Sequence, residues 1–150
     1  RAELRRRWAR LLLAALAGGA AAATSAVGLG WALGLPADML LSLAPKSVTA
    51  PVAMGVAAQI GGEPALAALF AVLTGMVGAL SGRTLFRWLR VGTNAEGMLA
   101  RGFALGTASH GIGAAQALQD DADAGAYAGL ALGLQVVLAA LLVPLVARFF

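Results

Sequence analysis

The chain has 150 residues, 60% of them hydrophobic and only 12% charged, with a net charge of +4 and a mean hydropathy of +0.82. Soluble domains carry about 25% charged residues, so this composition suits lipid and leaves almost no room for a soluble domain. At about 20 residues per span, the whole of 1–150 reads as a single all-α transmembrane domain of about four or five membrane segments.

Most of the arginines lie in Arg1–Arg10 and Arg83–Arg90, where they flank apolar runs as positive-inside anchors do. No basic face with readable elements is present, so nucleic acid is not an expected partner. The absence of cysteine excludes disulfides, thiolate metal sites and cysteine catalysis.

In chain order, Arg1–Arg10 is a basic cytoplasmic head with Trp8 as an interfacial anchor. Leu11–Leu35 is the first span, too long for a signal-peptide core of about 7–15 residues. Pro36-Ala37-Asp38 is a turn. Met39–Ile60 is a broken segment with a short apolar arm, a break at Pro45-Lys46-Ser47 and a half-helix from Val48 to Ile60. Gly61-Gly62-Glu63-Pro64 ends it, and Pro64 opens the next helix, where its missing N–H does little harm.

Ala65–Gly82 is the next span, with Gly78 and Gly82 as a small-residue packing pair. Arg83, Arg87 and Arg90, interleaved with Phe86 and Trp88, form a second collar. Val91–Glu96 is a loop, and Gly97–Leu118 is a second broken segment. Gln119–Gly125 is an acidic loop, and Ala126–Phe149 is the last span, with Gly125, Gly129 and Gly133 on one face. The two broken segments share a layout of arm, break, short helix, loop and full span, which hints at internal repetition. With both collars cytoplasmic, a re-entrant Met39–Ile60 and a returning Ala65–Gly82 give the required even number of crossings. A fully crossing Met39–Ile60 would put one collar outside.

The breaks hold the chain's only lysine and only histidine. An ionisable group at membrane depth is costly and marks function by default. Helix breaks there are tolerated where the freed backbone lines a cavity or is buried in protein. Paired breaks point to a solute site of the kind secondary transporters build from half-helix ends. A helix N-terminus offers unpaired N–H groups and the positive end of a dipole to an anion.

In the first break, Ser47 or Thr49 can cap the half-helix, Pro51 falls harmlessly in its first turn, and Lys46 adds a positive charge suited to a carboxylate. The alternative for Lys46 is an anchor that snorkels to the interface. In the second break, Ser109 is a candidate cap and His110 titrates near working pH, with a reference value of about 6.5. Gly106, Gly111 and Gly113 permit close backbone approach, and Gln116 could share the cavity or join helices. The alternative for His110 is a structural hydrogen-bond partner. The expectation is that Pro45–Thr49 and Thr107–Gly113 are non-helical and meet in one cavity.

One histidine and no cysteine cannot build a usual metal shell. Lys46 and Ser47, or Ser109 and His110, are helix neighbours that do not face each other. No enzyme activity, metal or cofactor is therefore expected.

The run from Leu43 to Met54, with Pro45-Lys46-Ser47-Val48-Thr49 at its centre, closely resembles a signature of the LrgB/CidB family. The run from Arg101 to Gly113, containing Gly106-Thr107-Ala108-Ser109-His110, resembles that family's second signature. Gly61-Gly62, Thr74-Gly75 and Gly78 sit where the family pattern expects them. The chain departs from it at Ala50 and Ala114, where threonine is usual. Family members are generally longer at the N-terminal side, so the resemblance implies that this is the C-terminal portion.

It also implies a multi-pass protein of the bacterial inner membrane, or of the plastid inner envelope in a plant. Family members are named antiholin-like regulators of murein hydrolase activity and lysis, acting with a small holin-like partner of the LrgA/CidA type. Relatives move pyruvate, or glycolate and glycerate. The half-helix anion site favours carriage of small monocarboxylates of the pyruvate, glycolate or glycerate class, in a homo-oligomer. Pro45, Lys46, Ser47, Thr49, Thr107, Ser109, His110, Gly111 and Gly113 are the expected solute-binding positions.

Overall fold

The computed structural model describes residues 2–148 and, among them, is all-α. Six helices follow one another: α1 (Ala2–Ala32), α2 (Ala37–Leu43), α3 (Ala50–Ile60), α4 (Pro64–Trp88), α5 (Ala95–Asp120) and α6 (Ala122–Ala147). Three of these, α1 from Arg7, α4 and α6, are long and apolar enough to cross a membrane. The expected head Arg1–Arg10 and the final Phe149 fall partly outside the described residues.

Glycine and left-handed backbone set several helix ends. Gly34 (φ 77) closes α1, with Gly34 N donating to Trp31 O and Leu35 N to Gly30 O, a pairing that satisfies the last carbonyls. Gly61 (φ 86) closes α3 in the same way, with Gly62 N donating to Ala57 O. Pro64 opens α4 as expected, and the Glu63 side chain accepts from Ala65 N.

Several boundaries differ from the sequence expectation. The Arg83–Trp88 collar is the last turn and a half of α4, because nothing before Arg90 (φ 54) stops the helix. The acidic loop expected over Gln119–Gly125 shrinks to Asp121 alone. Its carboxylate accepts from Ala124 N at 2.8 Å, and Asp123 sits in the first turn of α6, where the helix dipole favours negative charge. The first arm starts at Ala37 rather than Met39, and the half-helix α3 starts at Ala50 rather than Val48.

The path through α5 is the feature that organises the bundle. Helical geometry fails at His110 alone (φ 40, ψ −127). Gly113 lies so close to the Leu105 carbonyl that a side chain there would overlap it. In a continuous helix these residues would be about 12 Å apart along the axis. The chain therefore turns back at His110, and residues 95–109 and 111–120 form two antiparallel arms. The helix α6 then runs parallel to the first arm, with Gly102 against the Ala124 backbone and Gly106 against that of Ala128.

Salt bridges mark one end of the bundle. Arg7 pairs with Glu96 at 3.1 Å and Arg83 with Asp120. The start of α1, the end of α4, both ends of α5 and the start of α6 therefore share a basic end. At the other end, Gly30 of α1 packs against Leu40 and Leu43. Ser42 Oγ accepts from Glu63 N at 2.7 Å, so the chain leaves by α2 and returns by α3 to the same level. Residues 37–88 and 95–147 each consist of a folded-back helical pair followed by one long helix, starting from opposite ends.

Candidate functional site

The first break spans residues 44–49, between α2 and α3. Two short-range bonds, Lys46 N to Leu43 O and Val48 N to Pro45 O, carry the backbone through it. Pro45 and Val48 are fully buried and Ser47 is 8% exposed, whereas Lys46 and Thr49 are half-buried. Thr49 occupies the N-cap position of α3 and Pro51 its first turn, as expected. Neither Ser47 nor Thr49 caps the helix through its side chain. No carboxylate lies within ion-pair distance of Lys46 among the described residues.

The second break is narrower than the expected Thr107–Gly113. Thr107 and Ser109 end the first arm of α5, Gly111 and Gly113 begin the second, and His110 is the whole of the turn. Its backbone lies where L-residues are strained by about 1–3 kcal/mol. Ser109 is not a cap; its Oγ lies against Gly78 of α4 with no hydrogen-bond partner. His110, 4% exposed, makes one bond, from Nε2 to the Ala71 carbonyl at 2.8 Å. Gly75 makes this possible, because a side chain there would overlap the imidazole ring. Thr107 faces Gly18 of α1, Gly113 is buried against the Leu105 carbonyl, and Gly111 has open space beside it.

The two breaks meet through α4. Ala71 packs with Val48, Ala53, Ala57 and Ala67 beside the first break, and its carbonyl receives His110 from the second. The helices α3 and α5 do not pack on each other directly. Of the expected solute-binding positions His110 reaches Ala71, and the first break meets that residue through Val48, which lies outside the expected set.

Among the described residues, four buried side-chain polar atoms lack a partner: Ser47 Oγ, Thr107 Oγ1, Ser109 Oγ and Arg101 Nε. Three of these are hydroxyls in or beside the two breaks. A buried polar atom left unpaired costs about 1–3 kcal/mol, and its presence in a folded protein asks for a water, ion or ligand.

Sequence reasoning missed Gln135, which is buried at the middle of α6 and donates to the Ala15 carbonyl at 2.6 Å across the seam with α1. Gly19 leaves the space for its side chain. The signal was available, because Gln135 is a lone amide in an otherwise apolar stretch.

Residues 1–149 match the LrgB-like family. The chain belongs to that family. YxaC of Bacillus subtilis, described as uncharacterized, is 37% identical over 119 residues, covering 79% of this chain and 50% of the relative. The protein named holin-like protein CidB in Staphylococcus aureus is 34% identical over 119 residues, with the same coverage. CidB of Staphylococcus epidermidis is 34% identical over 117 residues, covering 78% of this chain and 49% of the relative. The chain thus spans about half the length of the curated relatives it matches. No solved structure matches it.

Proposed function

We propose that this chain carries small monocarboxylates of the pyruvate, glycolate or glycerate class across a bacterial inner membrane. The solute is held between the N-terminal ends of α3 and of the second arm of α5. The observation that carries this reading is the set of unpartnered buried hydroxyls, Ser47, Thr107 and Ser109. A carboxylate accepts hydrogen bonds from hydroxyls, from the free N–H groups of a helix start and from an ammonium group, and among the described residues Lys46 has no carboxylate partner.

In the proposed arrangement α2–α3 and the two arms of α5 are re-entrant, dipping from opposite faces, while α1, α4 and α6 cross. Two inverted units around a midplane site are the design of many secondary transporters. The placement of both basic collars at one end supports this topology.

Reconstituting the intact protein in liposomes tests the function. Labelled pyruvate or glycolate should accumulate, and Ser47→Ala with Ser109→Ala should reduce uptake at equal insertion. Uptake no greater than in empty liposomes, with or without a holin-like LrgA/CidA-type partner, would sink the proposal. The second reading, favoured by the holin-like name of the CidB relatives, is a regulator of murein hydrolase activity and lysis that works through such a partner. It requires that binding to the partner, and not solute flux, respond to substitutions in the breaks.

A further inference from the structure

The two faces of α5 are packed in different ways. Against α6, Gly102 and Gly106 bring backbone onto backbone at Ala124 and Ala128, so the α5 arms and α6 cannot part without dismantling that contact. Against α4, the seam is made of side-chain tips resting on a row of glycines. His110 rests on Gly75, Ser109 on Gly78 and Leu105 on Gly82. Only two bonds cross it among the described residues, His110 to Ala71 at its inner tip and Arg83 to Asp120 at the basic end.

The mouth of this seam is already a cleft, lined by Arg83, Phe86, Met98, Arg101, Leu105 and Asp120. Arg101 stands over the Phe86 ring, 5.5 Å from its centroid, and its Nε is buried without a partner. One turn inward from Leu105, Ser109 is 0% exposed and its unpaired hydroxyl is aimed at Gly78. The closed seam offers this hydroxyl no acceptor or donor, whereas a parted seam would give it water or a solute.

We infer that the α4–α5 seam is the path by which an anionic solute reaches the mid-bundle hydroxyls from the basic end. Leu105 on Gly82 is its gate, and the Arg83–Asp120 pair is the latch. The inference rests on the transport reading and adds to it a direction, an arginine-lined vestibule and a moving boundary. Along the glycine row itself no side chains interlock, so parting has only to displace Phe86 from Leu105 and Arg101 at the mouth, while the α5 arms travel with α6.

The chain has no cysteine, so Ser109→Cys introduces a single thiol into it. In vesicles carrying the intact protein, a membrane-impermeant methanethiosulfonate should modify that thiol when applied at the basic end. Asp120→Asn should speed the reaction by up to about fivefold, the bound set by what an exposed ion pair contributes. Leu105→Ala should speed it further, and Arg87→Ala, outside the cleft lining, should leave it unchanged. Reaction from the opposite end only, or rates indifferent to Asp120→Asn and Leu105→Ala, would overturn the inference. Where Ser109→Cys does not insert, Leu105→Cys with and without Asp120→Asn reads the same seam. The labelling needs no solute. Labelling without uptake therefore keeps the seam and removes carboxylate transport, and uptake without labelling removes the seam alone.

Discussion

His110 Nε2 stands 2.8 Å from the carbonyl oxygen of Ala71. A carbonyl can only accept, so the bond assigns the ring proton to Nε2 and leaves Nδ1 as the acceptor of the neutral imidazole. Protonation would then add a charge at Nδ1 without breaking the bond to α4. Ala71 also packs beside the first break, so this contact ties the two halves of the candidate site together.

If His110 exchanges protons with the solute pathway, uptake should vary with pH below neutrality. His110→Gln removes the titration and keeps an N–H donor. The variant should insert normally and lose part of that pH dependence. Uptake against pH at constant membrane potential, normalised to inserted protein, checks this; an unaltered profile leaves His110 as scaffold.

The backbone at His110 yields a separate expectation. Glycine adopts positive φ readily, whereas alanine does not. Both His110→Gly and His110→Ala lose the bond to Ala71, but the glycine variant should be more stable by about 1–2 kcal/mol because it removes the strain. Unfolding in detergent measures the difference, and equal stabilities would show that the turn at His110 is not strained.

Lys46→Ala and Arg87→Ala each remove one positive charge. Lys46, unlike Arg87, adjoins an unpartnered hydroxyl, that of Ser47, and a hydrogen bond to a charged group contributes about 1.5–3 kcal/mol. The expected result is a loss of solute affinity of about tenfold or more for Lys46→Ala and little change for Arg87→Ala. Comparable losses at matched membrane abundance would place Lys46 among the interfacial anchors.

Two glycines should respond in opposite directions. A side chain at Gly106 would overlap the Ala128 backbone, which cannot rotate away, so Gly106→Ala should cost about 1–3 kcal/mol by overpacking. Gly129 has nothing within 4 Å, and Gly129→Ala should be neutral or stabilise α6 by up to about 1 kcal/mol through helix propensity. Thermal unfolding of the two variants gives the sign. A loss at Gly129 comparable to that at Gly106 would mean that a partner covers that face.

The expected Gly125, Gly129 and Gly133 face shows how far pattern alone reaches. Spacing puts the three on one side of α6, but only Gly125 is packed, against Leu118, while the other two meet open space. A small-residue stripe records where close approach is possible, not which helix arrives. Gly78 and Gly82 do meet a helix, and it is α5 that fills their gap.

By itself the sequence determined the all-helical class, the three long apolar helices and the neighbourhood of each break. These follow from local causes: apolar run length, Pro and Gly punctuation, and the cost of an ionisable group among apolar neighbours. Tertiary structure decided the rest. Thr107, Ser109, Gly111 and Gly113 are all compatible with helix, so only packing could confine the second break to His110. The reversal there depends on Gly113 closing on the Leu105 carbonyl and on Gly75 admitting the ring, contacts between residues 8 and 35 positions apart. That the two breaks share Ala71 depends on how α3, α4 and α5 are stacked, which no local pattern encodes.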